Sequence, residues 1–441
     1  MNLDELKDFA HLSLKVAQDS GAEYAEARIH GGTGNGYMLK NGEAQPSILE
    51  DSFGIGIRLI CKGALAFSAT NLLNRSTVNG LTLRTVKLAK ASIKLATKKV
   101  KLDDSKAARA NFRAPEKERM EGADPSWLKH LLGEIERRVT HCKGASAIAN
   151  RILIASSSIE QKYLVNSDGA RVESRVPRLH FYGVLTAIEN GQTAQRTIQQ
   201  GESGGLEAEK RMNLIEKVEH EAARLVEVLK KAGKPPAGVV DVILSPELSG
   251  IAAHESVGHP QEADRILGRE GAQAGESYLR GDSLGRKVGS DEANISDDPT
   301  LLRSNGYSPV DDEGVRSRKR RLIKQGRVSE FLHNRSTSAE LRTANNAASR
   351  STAYNREPIV RMSNTFVEPG DFTFEELLRE VKDGVYMKSF TEWNIDDKRL
   401  NQRYVGLEAY RIKNGELKEL VKAPVLEITT PALWGSVKGR T

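Results

Sequence analysis

The sequence predicts an α+β fold in two parts, a mixed α/β N-terminal domain over residues 1–234 and a β-rich C-terminal domain over 235–441. Three observations predict it. The first part mixes helical periodicity with period-two strand patterns, the last part is dominated by short strands and turns, and the stretch Lys230-Lys231-Ala232-Gly233-Lys234-Pro235-Pro236-Ala237-Gly238 separates them with linker composition.

In chain order, Leu3, Leu6, Phe9, Ala10, Leu14 and Ala17 fall at helical spacing over 3–19, with Gly21 as the stop. Residues 24–30 read as a strand. Residues 52–68 read as a hairpin turning at Lys62-Gly63. A Lys/Ala/Leu-rich helix is expected at 76–98 and a second, with Leu and Ile on one face, at 125–142. Residues 162–166 and 170–174 flank an Asp168-Gly169 turn, a strong hairpin signal. Residues 178–188 and 193–200 form another strand pair across Glu189-Asn190-Gly191, and a helix follows at 207–231. Beyond the linker, Val239–Leu244 reads as a buried strand, and Ser245-Pro246 opens a helix with Ser245 as N-cap and Pro246 in its first turn. Residues 268–289 carry six glycines among charged residues and read as a mobile loop, not a packed element. One further helix is expected at 374–381.

Composition bounds the function. Hydrophobic residues make up 38% and charged residues 28% of 441, an ordinary globular balance. No run approaches the roughly 18 apolar residues of a membrane span, and the acidic, amphipathic start does not resemble a signal peptide. The two cysteines, Cys61 and Cys142, are far apart, so no disulfide framework is expected and a reducing cytoplasm is the natural setting. The net charge of +7 raises the question of nucleic acid, yet the densest basic run, Arg316 to Arg321 with Lys324, has no interleaved aromatics. A solvated or partner-facing basic surface is expected there, and no nucleic-acid partner.

The chemistry concentrates in His254-Glu255-Ser256-Val257-Gly258-His259. Zinc peptidases commonly place two histidines at i and i+4 of a helix. Here the second is at i+5, about 140° away on an ideal helix, so regular turns cannot aim both rings at one ion. Gly258 relieves the helix and Pro260 disfavours the α region at His259, so the helix is expected to end near Val257 and free His259 to swing back. Glu255 is then placed as general base toward a water polarised by the metal. The bland alternative, two unrelated histidines at a helix end, is opposed by the strand, the capped start and the programmed break. Glu262 and Asp264 read as acids supporting the ligands or capping a helix.

The string from His254 to Asp264 resembles the signature of the TldD/PmbA family of metallopeptidases, and within it the TldD branch, since the PmbA (TldE) branch lacks the histidines. Asp311-Asp312-Glu313-Gly314-Val315, Phe331 to Arg335 with Ser336 to Ala339, Pro358 to Thr365 and Glu368 to Asp371 resemble further family blocks. So do Gly54 to Arg58, Thr70-Asn71 and Asn166 to Gly169, so the resemblance spans nearly the whole chain. It implies an α/β first domain and a β-rich second domain holding zinc, with His254 and His259 as ligands, Glu255 as base and a cysteine as third ligand. The family's cysteine lies in a glycine-rich segment near the C-terminus. The residues Gly435 to Thr441 stop short of one, so a C-terminally incomplete chain is expected, and neither Cys61 nor Cys142 lies in the right half. His333, Asp312 and Glu313 remain alternative ligands beside roles in turns or substrate orientation. Arg361 and Asn364 are placed either against a peptide backbone or in ordinary strand-edge hydrogen bonds. The resemblance further implies a homodimer, or a heterodimer with a PmbA-like subunit, enclosing a site that cleaves peptides or unfolded segments. The rival expectation is a catalytically silent partner or scaffold subunit, and zinc content separates the two.

Overall fold

The computed structural model describes residues 3–46, 48–271 and 275–441. It holds 27% helix and 35% strand, an α+β composition. An antiparallel sheet dominates the first half. Its strands run Ala64–Thr70, Ile48–Cys61, Tyr24–Lys40, Ile148–Asn166, Arg171–Glu189 and, at the far edge, Gln192–Ser203. Arg109–Arg113 joins in parallel beside residues 171–175. The hairpin at Lys62-Gly63 forms as expected, both residues taking positive φ (51° and 81°), and lysine there accepts the left-handed strain that glycine avoids.

The long strands are buried on both faces over residues 24–30, 53–61 and 163–166, and alternation sorts their residues. Ala27, Ile29, Ile55, Ile57 and Val165 face the helices Leu3–Asp19 and Arg75–Ser92, where Leu6, Ala10, Val78 and Val86 meet them. Leu153, Leu179 and Leu185 on the same face meet Leu132, Ile135, Val218 and Leu225 of Ser126–His141 and Leu214–Lys231. Glu26, Arg28, Arg58, Lys162 and Asn166 point the other way, into the second half of the chain.

Several expected elements shift. The expected helix 207–231 breaks at Asn213, whose φ of 48° divides Ala208–Met212 from Leu214–Lys231, and the helix expected over 76–98 stops at Ser92. The two short strands expected at 170–174 and 178–188 are one, with Pro177 inside it. Pro177 falls where Arg109–Arg113 has left off and Gln192–Ser203 has not begun, so no ladder partner wants its missing N–H. Residues 275–289 carry neither helix nor strand, but they pack: Leu279 and Val288 are buried and Ser277 Oγ donates to the Pro260 carbonyl at 2.7 Å. The expectation of an unpacked loop is corrected for those residues, and its part at 272–274 lies outside the described residues. The basic run is corrected as well. Arg320 turns inward, pairing with Asp297 at 2.7 Å and donating to the Asn346 and Ala347 carbonyls, because alternation along Arg320–Lys324 aims it at the core. Among the described residues no helix is long and apolar enough to cross a membrane.

In the second half, Asp241–Leu244 pairs in parallel with Asp383–Met387, in a sheet completed by Ala409–Lys413 and Glu416–Leu420. It is half-buried at most, not the buried strand its apolar run suggests, because it is the edge of that sheet. The helix Pro246–Ala253 follows at once and packs Leu248, Ala252 and Ala253 with Ile295, Leu322, Phe331, Leu332 and Trp434.

The halves meet through buried charge. Arg58 bonds Glu26 at 2.8 Å and Glu313 at 2.6 Å, and Glu313 also accepts the Arg335 amide at 2.8 Å. Asp312 takes Lys162 at 3.1 Å and the Ser351 amide at 2.7 Å. Removing one member of such a set strands the other charges in low dielectric. Glu313→Ala is therefore expected to destabilise the protein by about 3–5 kcal/mol in urea titration. Loss of the exposed Arg403–Glu392 pair through Arg403→Ala is expected to cost less than about 1 kcal/mol.

Candidate metal centre

The helix that begins at Pro246 has Ser245 as its N-cap, whose side chain accepts the Leu248 amide at 3.3 Å, as expected. It does not end at Val257. It widens into a π turn over His254–Gly258, in which the His259 N–H bonds the His254 carbonyl, and closes with a 3-10 turn over His259–Gln261. His259 keeps α-region torsions, φ −59° and ψ −46°, against the preference that Pro260 imposes. The wider turn solves the spacing differently from a helix break. An i→i+5 bond brings residues five apart onto one face, as an i→i+4 bond does for residues four apart. Pro260 lacks the N–H that an α-helix would give to the Ser256 carbonyl, which favours the change.

Local contacts hold the turn. Ser256 Oγ donates to the Ala252 carbonyl at 2.5 Å and accepts from Trp434 Nε1 at 2.9 Å. Gly258 is needed for space and not for conformation, since its φ is −57° and a Cβ there would lie 2.5 Å from the Met362 sulfur. The His254 and His259 rings stand 4.7 Å apart, centre to centre, at 85°. A nitrogen of each and a carboxylate oxygen of Glu255 lie within 4.8 Å of one another.

Each of the three side chains has its own support. His259 Nδ1 contacts Glu262 Oε2 at 3.1 Å, which leaves Nε2 as the available ligand atom. Glu262 is fully buried. Burial by itself raises its pKa, but His259, Arg361 and Arg265 outweigh that and hold the carboxyl below its usual range. The His254 side chain is 44% exposed, yet the surrounding protein still desolvates it, and with His259 beside it this lowers its pKa and favours the neutral, ligating imidazole. Glu255 Oε2 is paired with Arg399, and its Oε1 accepts Trp393 Nε1 at 3.3 Å while lying 3.9 Å from His254 Nε2.

Three family models describe the chain in order: PmbA/TldA metallopeptidase domain 1 over residues 25–96, the central domain over 107–230 and the C-terminal domain over 237–440. The chain belongs to the PmbA/TldD metallopeptidase family. It is 32% identical over 407 residues to metalloprotease MJ0996 of Methanocaldococcus jannaschii, covering 91% of this chain and 85% of that one. It is 35% identical over 191 residues to the zinc metalloprotease TldD homolog of Saccharolobus solfataricus, covering 43% and 41%. TldE from Thermococcus kodakarensis shares its fold, with a TM-score of 0.74 at 16% identity over 98% of this chain and 93% of that one.

Within this PmbA/TldD chain the other candidates lie apart. Among the described residues, the one acid or thiol that joins the two histidines is Glu255. Asp312 and Glu313 are spent on the contact between halves, and Cys61 and Cys142 are buried in the first half. Asn364 bridges the Gly306 amide and the Asp298 carbonyl, an ordinary loop tie. Arg361 instead braces the site, reaching Glu262 at 3.5 Å and Glu270 at 2.5 Å. Arg399 and Trp393 were not among the sequence candidates. They arrive from a hairpin more than 130 residues downstream, and no local pattern marks them.

His333 is also elsewhere, buried, with Nδ1 against Thr337 Oγ1 at 3.2 Å, and burial lowers its pKa to about 4. The unfolded chain binds that proton near pH 6.5 and the folded one near 4, so His333 costs stability as pH falls through this window. Wild type is expected to lose on the order of 3 kcal/mol more than His333→Gln between pH 7 and 4 in urea titrations.

Proposed function

We propose that this chain is a zinc-dependent peptidase acting on peptides or unfolded protein segments, with His254 and His259 as zinc ligands and Glu255 as general base. The observation that carries the reading is the π turn, which gathers two imidazoles and a carboxylate within 4.8 Å on one surface. The donor set suits zinc, which takes imidazole nitrogen readily and is oriented through a carboxylate–histidine contact such as Glu262–His259. Zinc, when bound, polarises the scissile carbonyl and lowers the pKa of a coordinated water to about 7. Glu255 accepts the proton of the attacking water at Oε1, the oxygen nearer His254, and returns it to the departing amine nitrogen. Glu262 fixes the His259 ring so that Nε2 and not Nδ1 faces the site.

Glu255→Gln is expected to retain zinc while hydrolysis of an unstructured peptide falls about 10²-fold or more. His254→Ala and His259→Ala should lose the metal, and Glu262→Gln should weaken it about 10- to 100-fold, both read by metal analysis after dialysis. Full activity in Glu255→Gln removes the mechanism. Absence of zinc from wild type leaves the silent-subunit reading in its place.

We propose further that a second subunit, either a copy of this chain or a PmbA-like partner, covers the site and that the assembly works in the cytoplasm. The exposure of His254 supports this, because the chain by itself leaves that ring open to water. Light scattering is expected to give at least twice the mass of one chain, and a monomer mass both alone and with an equimolar PmbA-like subunit contradicts it.

A further inference from the structure

We propose that Arg399, assisted by Trp393, is the positioning residue of Glu255, anchoring one carboxylate oxygen so that the other faces the histidine pair. The inference rests on Glu255 being the general base, a role that needs one oxygen free to meet the water and the carboxylate held in a single rotamer.

Glu255 is 7% exposed and its two oxygens have unequal surroundings. Oε2 is paired with the Arg399 guanidinium, itself 7% exposed, which compensates the buried charge. Oε1 takes the longer bond from Trp393 Nε1, at 3.3 Å, and is the oxygen 3.9 Å from His254 Nε2. Both partners come from the hairpin Phe390–Ile395 and Asn401–Gly406, Arg399 from its turn and Trp393 from its first strand.

The turn is built to hold Arg399 in place. Its φ of 62° is left-handed, a conformation that costs a non-glycine residue about 1 kcal/mol or more and persists only where surroundings impose it. Here they do: the Arg399 amide bonds the Asp396 carbonyl at 3.0 Å, the Leu400 amide bonds Asp396 Oδ1 at 2.7 Å, and Thr430 Oγ1 donates to the Arg399 carbonyl at 2.7 Å. Thr430 begins the helix Thr430–Gly435 whose Trp434 clamps Ser256, so one C-terminal segment secures both the π turn and the arginine over it.

The test uses the full chain labelled with ¹⁵N-tryptophan, which gives three indole signals, from Trp127, Trp393 and Trp434, assigned by Trp393→Phe. Arg399→Gln is expected to move the Trp393 signal toward its position in Glu255→Ala while Trp434 stays, showing an intact π turn. In the same variant kcat should fall about 10²-fold, with KM and zinc content unchanged, and Arg399→Lys should recover part of it. An unmoved Trp393 signal in Arg399→Gln overturns the proposal. So does a loss of activity matched by loss of zinc or of the Trp434 position in both Arg399 variants, which marks a purely structural arginine. If wild type binds no zinc and cleaves nothing, the peptidase reading fails, and the Trp393 signal still decides whether Arg399 sets the carboxylate.

Discussion

A hydrogen bond from the His259 amide to the His254 carbonyl, spanning five residues instead of four, lets two histidines at an unhelpful spacing share one surface. A π turn is poorer in intrinsic stability than the α-helix it interrupts, so it survives only where tertiary contacts select it. Those contacts come from three directions. Trp434 holds Ser256 from the last helix, the Met362 sulfur packs against the bare Gly258 backbone, and Glu262 draws the His259 ring back from beyond the turn. Glu262 in turn is locked, since its neighbours Gln261 and Ala263 exchange backbone bonds with Leu332 at 2.7 and 3.0 Å.

Buried carboxylates recur through the molecule, and three of them are answered by arginine. Glu313 meets Arg58 between the halves, Glu262 meets Arg265 and Arg361 behind the site, and Glu255 meets Arg399 within it. Pairing of this kind contributes little net stability over an apolar core, but it makes wrong arrangements expensive, because an unmatched charge at such depth costs several kcal/mol. The same physics therefore serves register where the halves dock and side-chain orientation where chemistry is placed. Arginine suits both, since its planar fork fixes the direction of the carboxylate it meets.

The alternation of apolar residues and the turn residues made most of the first half legible. The hairpin at Lys62-Gly63, the Asp168-Gly169 turn and the helices at 3–19 and 126–141 depend on local period and local backbone freedom, which sequence carries directly. The break at Asn213 and the early stop at Ser92 were not legible, because the apolar spacing that signals a helix continues past both. Arg320 reads as one more residue of a solvated basic run, yet a one-residue alternation turns it into the core toward Asp297.

At the site, sequence by itself determined the residue set: His254, Glu255 and His259 in one short string, a capped helix leading into it, and an acid at Glu262 within reach of the His259 ring. These follow from covalent proximity and from backbone preferences that act over four or five residues. Tertiary structure decided the conformation that makes the set useful. Local rules predict a helix broken before His259, since proline disfavours the α region of the residue ahead of it. Packing against Met362, Trp434 and Leu332 overrides that modest preference and keeps the chain helical through a wider turn. It alone also brought Arg399 and Trp393 onto Glu255. Contacts between residues more than 130 positions apart depend on how strands and helices dock, and no local periodicity encodes them.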